Sequence, residues 1–313
     1  MESNTSTRDE PPSIDHFWQN GNILPIAEAK VPILSHGFSR GSAIFDVFGL
    51  HTGAAGLLAF RADEHIKRLY RSAELLGMTI DYSAAQLMDG LKTLLQHTRL
   101  NRGIVKIMAY WPQEAAIDLV LEQPLDVSIF VIPSSANLVL DGLTPVTACC
   151  CTWHKLHPQT VPIAAKACAY YLNGYLSRME AKARGFDIGV LLDGQDELAE
   201  GATESVFVVQ NGVLQVPPGA GVLDSISRRT VLDLARELGI PVEETPLPQQ
   251  MLSTVDEMFV SSSGSKVRPV SRYENRRFDA PGEVTQRLID AVQLLLSETD
   301  RRYPQWFTPL RPA

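Results

Sequence analysis

Residues 162–187 read PIAAKACAYYLNGYLSRMEAKARGFD. The part from 166 to 184 reads as a helix, rich in straight-chain and small residues that suit one. On either side stand apolar runs of strand type, 146–153 before it and 188–192 after it. A strand, a helix and a buried strand in succession are the repeating material of an α/β fold. One residue is out of keeping with this: Lys166 lies between Ala165 and Ala167, in a stretch that is otherwise small and apolar.

Strands and helices alternate on both sides of that stretch. Residues 15–34 carry two short strands, with Asn20-Gly21-Asn22 as their turn. Asp63 opens a helix in which Ile66, Leu69, Tyr70, Ala73 and Leu76 recur at spacings of three and four, and Gly77 closes it. A second amphipathic helix covers 84–98, followed by strands at 104–110 and 127–132. Downstream, strands at 205–209 and 213–216 flank Asn211-Gly212, a strong hairpin signal. A helix at 227–238 ends at Gly239, and a strand at 258–261 and a helix at 285–295 complete the pattern. The class is therefore α/β (α+β) in two domains. Residues 1–14 form a polar tail and 15–133 a small N-terminal α/β domain. A linker begins at Pro133-Ser134-Ser135-Ala136-Asn137 and spans 134–145, and a larger C-terminal domain covers 146–313.

Composition narrows the function. The chain has 313 residues, 45% hydrophobic and 20% charged, ordinary values for a globular protein with a sizeable core. Its 36 acidic and 28 basic residues leave a net charge of −8, against the basic excess that tracking a phosphate backbone requires. No apolar run approaches the roughly 20 residues of a membrane span. The polar start, MESNTSTRDEPPS, has no apolar signal core and implies a cytoplasmic protein. Cys149, Cys150 and Cys151 are consecutive and Cys168 stands apart, with no CxxC pair and no metal-ligand spacing, so buried free thiols are expected.

Five places could carry chemistry. In apolar surroundings an ammonium is disfavoured, which would prepare Lys166 for Schiff-base formation. The ordinary alternative is a lysine whose stem lies on the surface with its head in water. Glu200, within ELAEGATE (197–204), sits on a turn between two strands where Gly201 lets backbone approach something closely; by itself it reads as a hairpin acid. The segment GVLDSISR (221–228) opens a helix whose unpaired amides suit a phosphate, with Ser227 as a plain N-cap the other reading. SSSGS (261–265) offers hydroxyls, or merely a loop. Arg68 is either a solvated helix-face residue or a fork for an anion, and nearby His65 reads as a packing or surface histidine.

None of these signals is specific alone, but their joint order is. Residues 15–308 resemble the class IV aminotransferases, the fold type IV enzymes that use pyridoxal 5′-phosphate, and within them the branched-chain amino-acid aminotransferase group. The resemblance rests on FRADEHIKRLYRSAELLGM (60–78), PIAAKACAYYLNGYLSRMEAKARGFD (162–187), ELAEGATESVFVVQNGVLQVP (197–217), VLDSISRRTVLDLARELGIPVEE (222–244), DEMFVSSSGSKVRPV (256–270) and WFTPL (306–310). It implies a larger domain built as a pseudo-barrel, with the cofactor between the domains. It gives Lys166 the Schiff base and the proton at the substrate's Cα, Glu200 the pyridinium nitrogen, and Tyr171 the ring's phenolic oxygen. Arg68, Ile226, Ser227 and Ser263 would hold the phosphate, and Arg40, Phe45, Lys106, Trp153 and Ser262 would face the substrate. No metal is implied, and a homodimer or larger assembly is.

The chain also departs from that family. Ser39-Arg40-Gly41 stands where the branched-chain group has His-Tyr-Gly, so a permanent charge replaces a tyrosine. Lys106 replaces an arginine, Tyr170 an asparagine, Ser225 a glycine and Lys266 an acid. Branched-chain L-amino acids are the expected donors and a 2-oxo acid such as 2-oxoglutarate the acceptor. The alternatives are a D-amino-acid or (R)-amine aminotransferase, a lyase like aminodeoxychorismate lyase, and a cofactor-binding protein without turnover.

Overall fold

The protein folds around two sheets, described here from a computed structural model over residues 14–53, 56–98, 100–115, 117–134, 143–297 and 302–312. The expected tail lies almost wholly outside the described residues, as do positions 135–142 of the expected linker. The first sheet begins with a hairpin of β1 (His16–Gln19) and β2 (Asn22–Pro25). Asn20 and Gly21 turn it with φ of 46° and 92°, a conformation that Asn and Gly tolerate. After a single helical turn, α1 (His36–Ser39), come β3 (Ile44–Gly53), β4 (Gly56–Phe60), α2 (Ala62–Leu75), α3 (Ala84–Gln96), β5 (Gly103–Tyr110) and β6 (Asp126–Pro133).

On β5 the alternation is complete. Val105, Ile107 and Ala109 are buried under α2 and α3, while Ile104, Lys106, Met108 and Tyr110 face the other way. Ser83 caps α3 through a reciprocal capping box with Gln86. Gly77, at φ 65°, lets the chain leave α2. Asp63 is the expected start of α2, but Arg61, at φ 50°, takes the cap position and Asp63 falls in the first turn. The reason lies far along the chain: the Arg61 amide donates to Trp306 O at 2.6 Å and its guanidinium lies 4.3 Å from the Trp306 ring.

The second sheet is assembled from β7 (Val146–His154), β8 (Ile188–Leu192), β9 (Leu198–Gly201), β10 (Ser205–Gln210), β11 (Val213–Val216), β12 (Val242–Glu244), β13 (Glu257–Ser261), β14 (Arg268–Tyr273) and β15 (Arg276–Arg277). Six of them close a circuit, β10-β13-β14-β7-β8-β9, shut by the pairing of Ser205 with Glu200. This is the barrel implied by the resemblance. Asn211 and Gly212, at φ 51° and 75°, make the expected tight hairpin turn. Helices α4 (Tyr171–Ala183), α5 (Ile226–Glu237) and α6 (Glu283–Leu296) cover the barrel. Under α5 and α6, Phe207 and Phe259 stack with centroids 4.7 Å apart. Cys149 and Cys151 are buried and Cys150 is less so, as alternation along β7 requires, and all four cysteines are free.

Two placements differ from the sequence reading. The helix expected from 166 begins at Tyr171, because residues 166–168 are committed to β3: the Phe45 amide donates to Lys166 O at 3.1 Å and the Cys168 amide to Ala43 O at 2.7 Å. The final strand, β16 (Phe307–Arg311), pairs with β4 on the first sheet, although 146–313 reads as one unit in the sequence. The first sheet thus runs β16-β4-β3-β5-β6-β1-β2, antiparallel throughout. Among the described residues, no helix is long and apolar enough to cross a membrane.

Gly90 offers a test of this packing. In an open helix Gly→Ala gains about 1 kcal/mol. Here a Cβ at position 90 would meet the Trp18 ring at 2.7 Å, and the indole is buried. Gly90→Ala is therefore expected to lose about 1–3 kcal/mol in urea unfolding, since overpacking outweighs helix propensity.

Candidate active site

The bridge between 166–168 and β3 sets a lysine at the junction of the sheet and the barrel. The Lys166 amide donates to Ser72 Oγ at 2.9 Å, and its amine donates to the Tyr171 hydroxyl at 2.7 Å. Both aromatic and ammonium groups meet Phe45: the Lys166 Nζ lies 4.9 Å from the Phe45 centroid, and the Tyr171 ring 5.0 Å from it. Lys166 is partly accessible from a narrow cleft, but protein surrounds its amine. Burial, with the charge of Arg68 added, pulls its pKa down to about 8. Burial pushes the Tyr171 phenol upward, so it stays a neutral hydrogen-bond partner.

Arg68 projects from α2 into the same cleft and is 7% exposed. It is no solvated helix-face residue. Its Nε and Nη2 each donate to Asp46 at 2.8 Å in a fork, and its Nη1 donates to Asp224 O at 2.9 Å. Asp46 is wholly buried on β3. Burial alone would raise its pKa, but the Arg68 and His65 charges and hydrogen bonds hold it well below the usual carboxylate range. The His65 Nδ1 lies 2.6 Å from Asp46 Oδ1 and donates its proton there. Desolvation keeps the imidazole neutral, with a pKa lowered to about 4.

Glu200 lies on β9 rather than on a turn, where it lines the cleft. Its Oε1 is 2.5 Å from the Lys155 Nζ. The N-cap of α5 is Ser225, whose hydroxyl accepts from the Arg228 amide at 3.1 Å. Ser227 is therefore not the cap. Ile226 and Ser227 form the first turn, where helical amides have no partner within the helix. Ser225 lines the cleft with Leu223, and Ser262 and Ser263 close it from the loop after β13. That loop is held by the Ser262 hydroxyl, which accepts from the Ser265 amide at 3.1 Å, and by Lys266, which donates to Ser263 O at 2.7 Å.

On the substrate side the residues divide. Phe45 stands against Lys166, and Lys106 Nζ is 4.9 Å from the Phe45 centroid, although neither Phe45 nor Lys106 is among the residues that line the cleft. Arg40 borders a second, more apolar cavity with Lys30, Phe38, Met108 and Phe130. Trp153 is 48% exposed and lies outside the lining of the Lys166 cleft. Sequence reasoning missed Asp46, Lys155 and the true setting of His65. An acid inside the apolar run AIFDVFGL (43–50) was the available signal. Among the described residues, no group of three or more His, Cys, Asp or Glu could hold a metal.

A buried lysine with a lowered pKa, a phenol on it, a carboxylate across the cleft, and Arg68 near a helix N-terminus are groups suited to amine–carbonyl chemistry on a phosphorylated group. The chain belongs to the class IV aminotransferase family, whose model matches residues 43–273. It is 30% identical to the branched-chain-amino-acid aminotransferase of Salmonella typhimurium over 305 residues, 95% of this chain and 97% of that one. The crystal structure of a branched-chain aminotransferase from Thermoproteus uzoniensis with norvaline superposes with a TM-score of 0.90 at 28% identity, covering 96% of this chain and all of that one. The holo-form of the Thermobaculum terrenum enzyme, with PLP, gives 0.88 at 28%, covering 95% and 99%.

The depressed His65 predicts the acid stability. Between about pH 6.5 and pH 4 the unfolded chain binds a proton at this position that the folded protein refuses, so stability falls as pH falls through that window. Asp46, with its folded value depressed, keeps its contribution until the pH drops below its unfolded value of 3.8. Urea unfolding at pH 7 and pH 5 should show a loss of about 2 kcal/mol from His65. In His65→Asn that share of the pH dependence should disappear.

Proposed function

We propose that the protein is a pyridoxal 5′-phosphate-dependent aminotransferase that moves the amino group of an amino acid to a 2-oxo acid such as 2-oxoglutarate, with branched-chain L-amino acids as donors. The observation that carries this is the Lys166 amine on the Tyr171 hydroxyl at 2.7 Å, with Arg68 and Glu200 in the same cleft. The cofactor, when bound, supplies an aldehyde that links to a primary amine and a ring that draws electrons from the substrate's Cα.

The residues do the rest. Lys166, whose lowered pKa brings its free amine within reach near neutral pH, links to the aldehyde and moves the proton at the substrate's Cα. Tyr171 hydrogen-bonds the ring's phenolic oxygen, and Glu200 keeps the ring nitrogen protonated. Arg68, the amides of Ile226 and Ser227, and Ser263 hold the phosphate, with Asp46 keeping the Arg68 fork in place. Phe45, Ser262 and Lys106 bound the substrate position, Lys106 as the partner of a carboxylate. Trp153 and Arg40 join that pocket from the outer rim of the assembled protein.

The assembled form is a cytoplasmic homodimer. Leu172, Tyr175 and Met179 make an exposed stripe on α4 at spacings of three and four, and Val31, Ile33, Leu34 and Phe38 are exposed nearby in the chain. Apolar surface of this extent suits a second copy. Gel filtration should return the mass of two chains; the mass of one would count against the dimer.

The chemistry is tested by a half-reaction. The holoprotein should lose its visible band when L-leucine is added alone, and Lys166→Ala should have neither band nor turnover. Loss of the band with D-alanine only would assign the D-amino-acid group. Pyruvate formed without any keto-acid acceptor would assign a lyase.

A further inference from the structure

Lys155 follows β7 directly, and its amide donates to Leu192 O at 2.7 Å, carrying the β7–β8 contact past the end of the strand. Its side chain reaches Glu200, on the strand beyond β8, where Nζ stands 2.5 Å from Oε1. Each side chain is only 13% exposed, and both line the cleft of Lys166. Glu200 itself is fixed at the barrel's closure, paired with Leu191 on one side and Ser205 on the other.

Building on the cofactor assignment above, we propose that Lys155 is a positioning residue, whose ammonium pins one oxygen of Glu200 so that the other meets the ring nitrogen of the bound cofactor. A glutamate on a strand retains three rotatable side-chain bonds, and without a second partner its carboxylate can turn from the cleft. A cation on one oxygen removes that freedom. A carboxylate held on the ring nitrogen accepts its N–H, which favours the proton on that nitrogen. Ion pairs in full solvent contribute little, but a pair this shielded is screened weakly by salt. The Lys155 charge also opposes the ammonium form of Lys166, adding to the larger effects of burial and Arg68.

The test uses holoprotein carrying cofactor labelled with ¹⁵N in the ring, in wild type, Lys155→Met and Lys155→Arg, at neutral pH. Wild type and Lys155→Arg are expected to show a protonated ring nitrogen. In Lys155→Met the signal should move toward the unprotonated position, with kcat down by up to about a hundredfold and KM within about twofold. Equal ¹⁵N signals in all three proteins would overturn the proposal, whatever happens to turnover. Lys155→Gln, which keeps polar reach without charge, serves if Lys155→Met does not fold, and the same criterion applies to it. A wild-type protein that binds no cofactor would overturn the cofactor assignment instead, which separates the two failures.

Discussion

Three backbone hydrogen bonds between residues 166–169 and the chain around β3 decide where the chemistry can occur. Phe45 donates to Lys166 O, Cys168 to Ala43 O and Ala169 to Gly41 O, at 3.1, 2.7 and 3.1 Å. Through them a segment that precedes α4 becomes an added rung on the first sheet, while α4 itself lies on the barrel. Lys166 is therefore held by both halves at once. The join sets the backbone from which its amine, Phe45 and Tyr171 reach one another, and the Lys166–Tyr171 hydrogen bond completes the arrangement.

Around that join, the balance between desolvation and charge differs from group to group. For Lys166 and His65 the loss of water outweighs the nearby carboxylates, and both pKa values fall. For Asp46, complete burial is outweighed by Arg68 and His65, and the acid stays ionised. Buried charges survive only when their hydrogen bonds are met, as the Asp46–Arg68 fork shows. The cleft thus keeps a lysine that gives up its proton more readily than a free one beside the permanently charged Arg68, two states that a uniform environment would not keep together.

Local signals carried much of this into the sequence. Asn20-Gly21 and Asn211-Gly212 announced their turns because few other residues adopt positive φ. The helices around 62–75, 84–96 and 226–237 were legible from their periodicity and closing residues. Strands β3 and β4 were not read at all, because they are covered on both faces and show no alternation. The start of α4 was misplaced because nothing local to 166–168 records that β3 takes its backbone. Ser225 and Ser227 are both good caps, and only the structure chooses between them. The pairs Asp46–Arg68 and Lys155–Glu200 join residues that are far apart in sequence, and periodicity cannot find such partners.

The strand β16 returns from the far end of the described chain to the open edge of β4. Beside it Trp306 receives the Arg61 amide and guanidinium, so the entry to α2, the helix that bears Arg68, is completed by residues made long after it. During synthesis on the ribosome, that edge stays unpaired while nearly all of the barrel emerges. The nascent first sheet is then a ready template for a wrong strand, and proper maturation requires the edge to remain vacant until its own partner arrives.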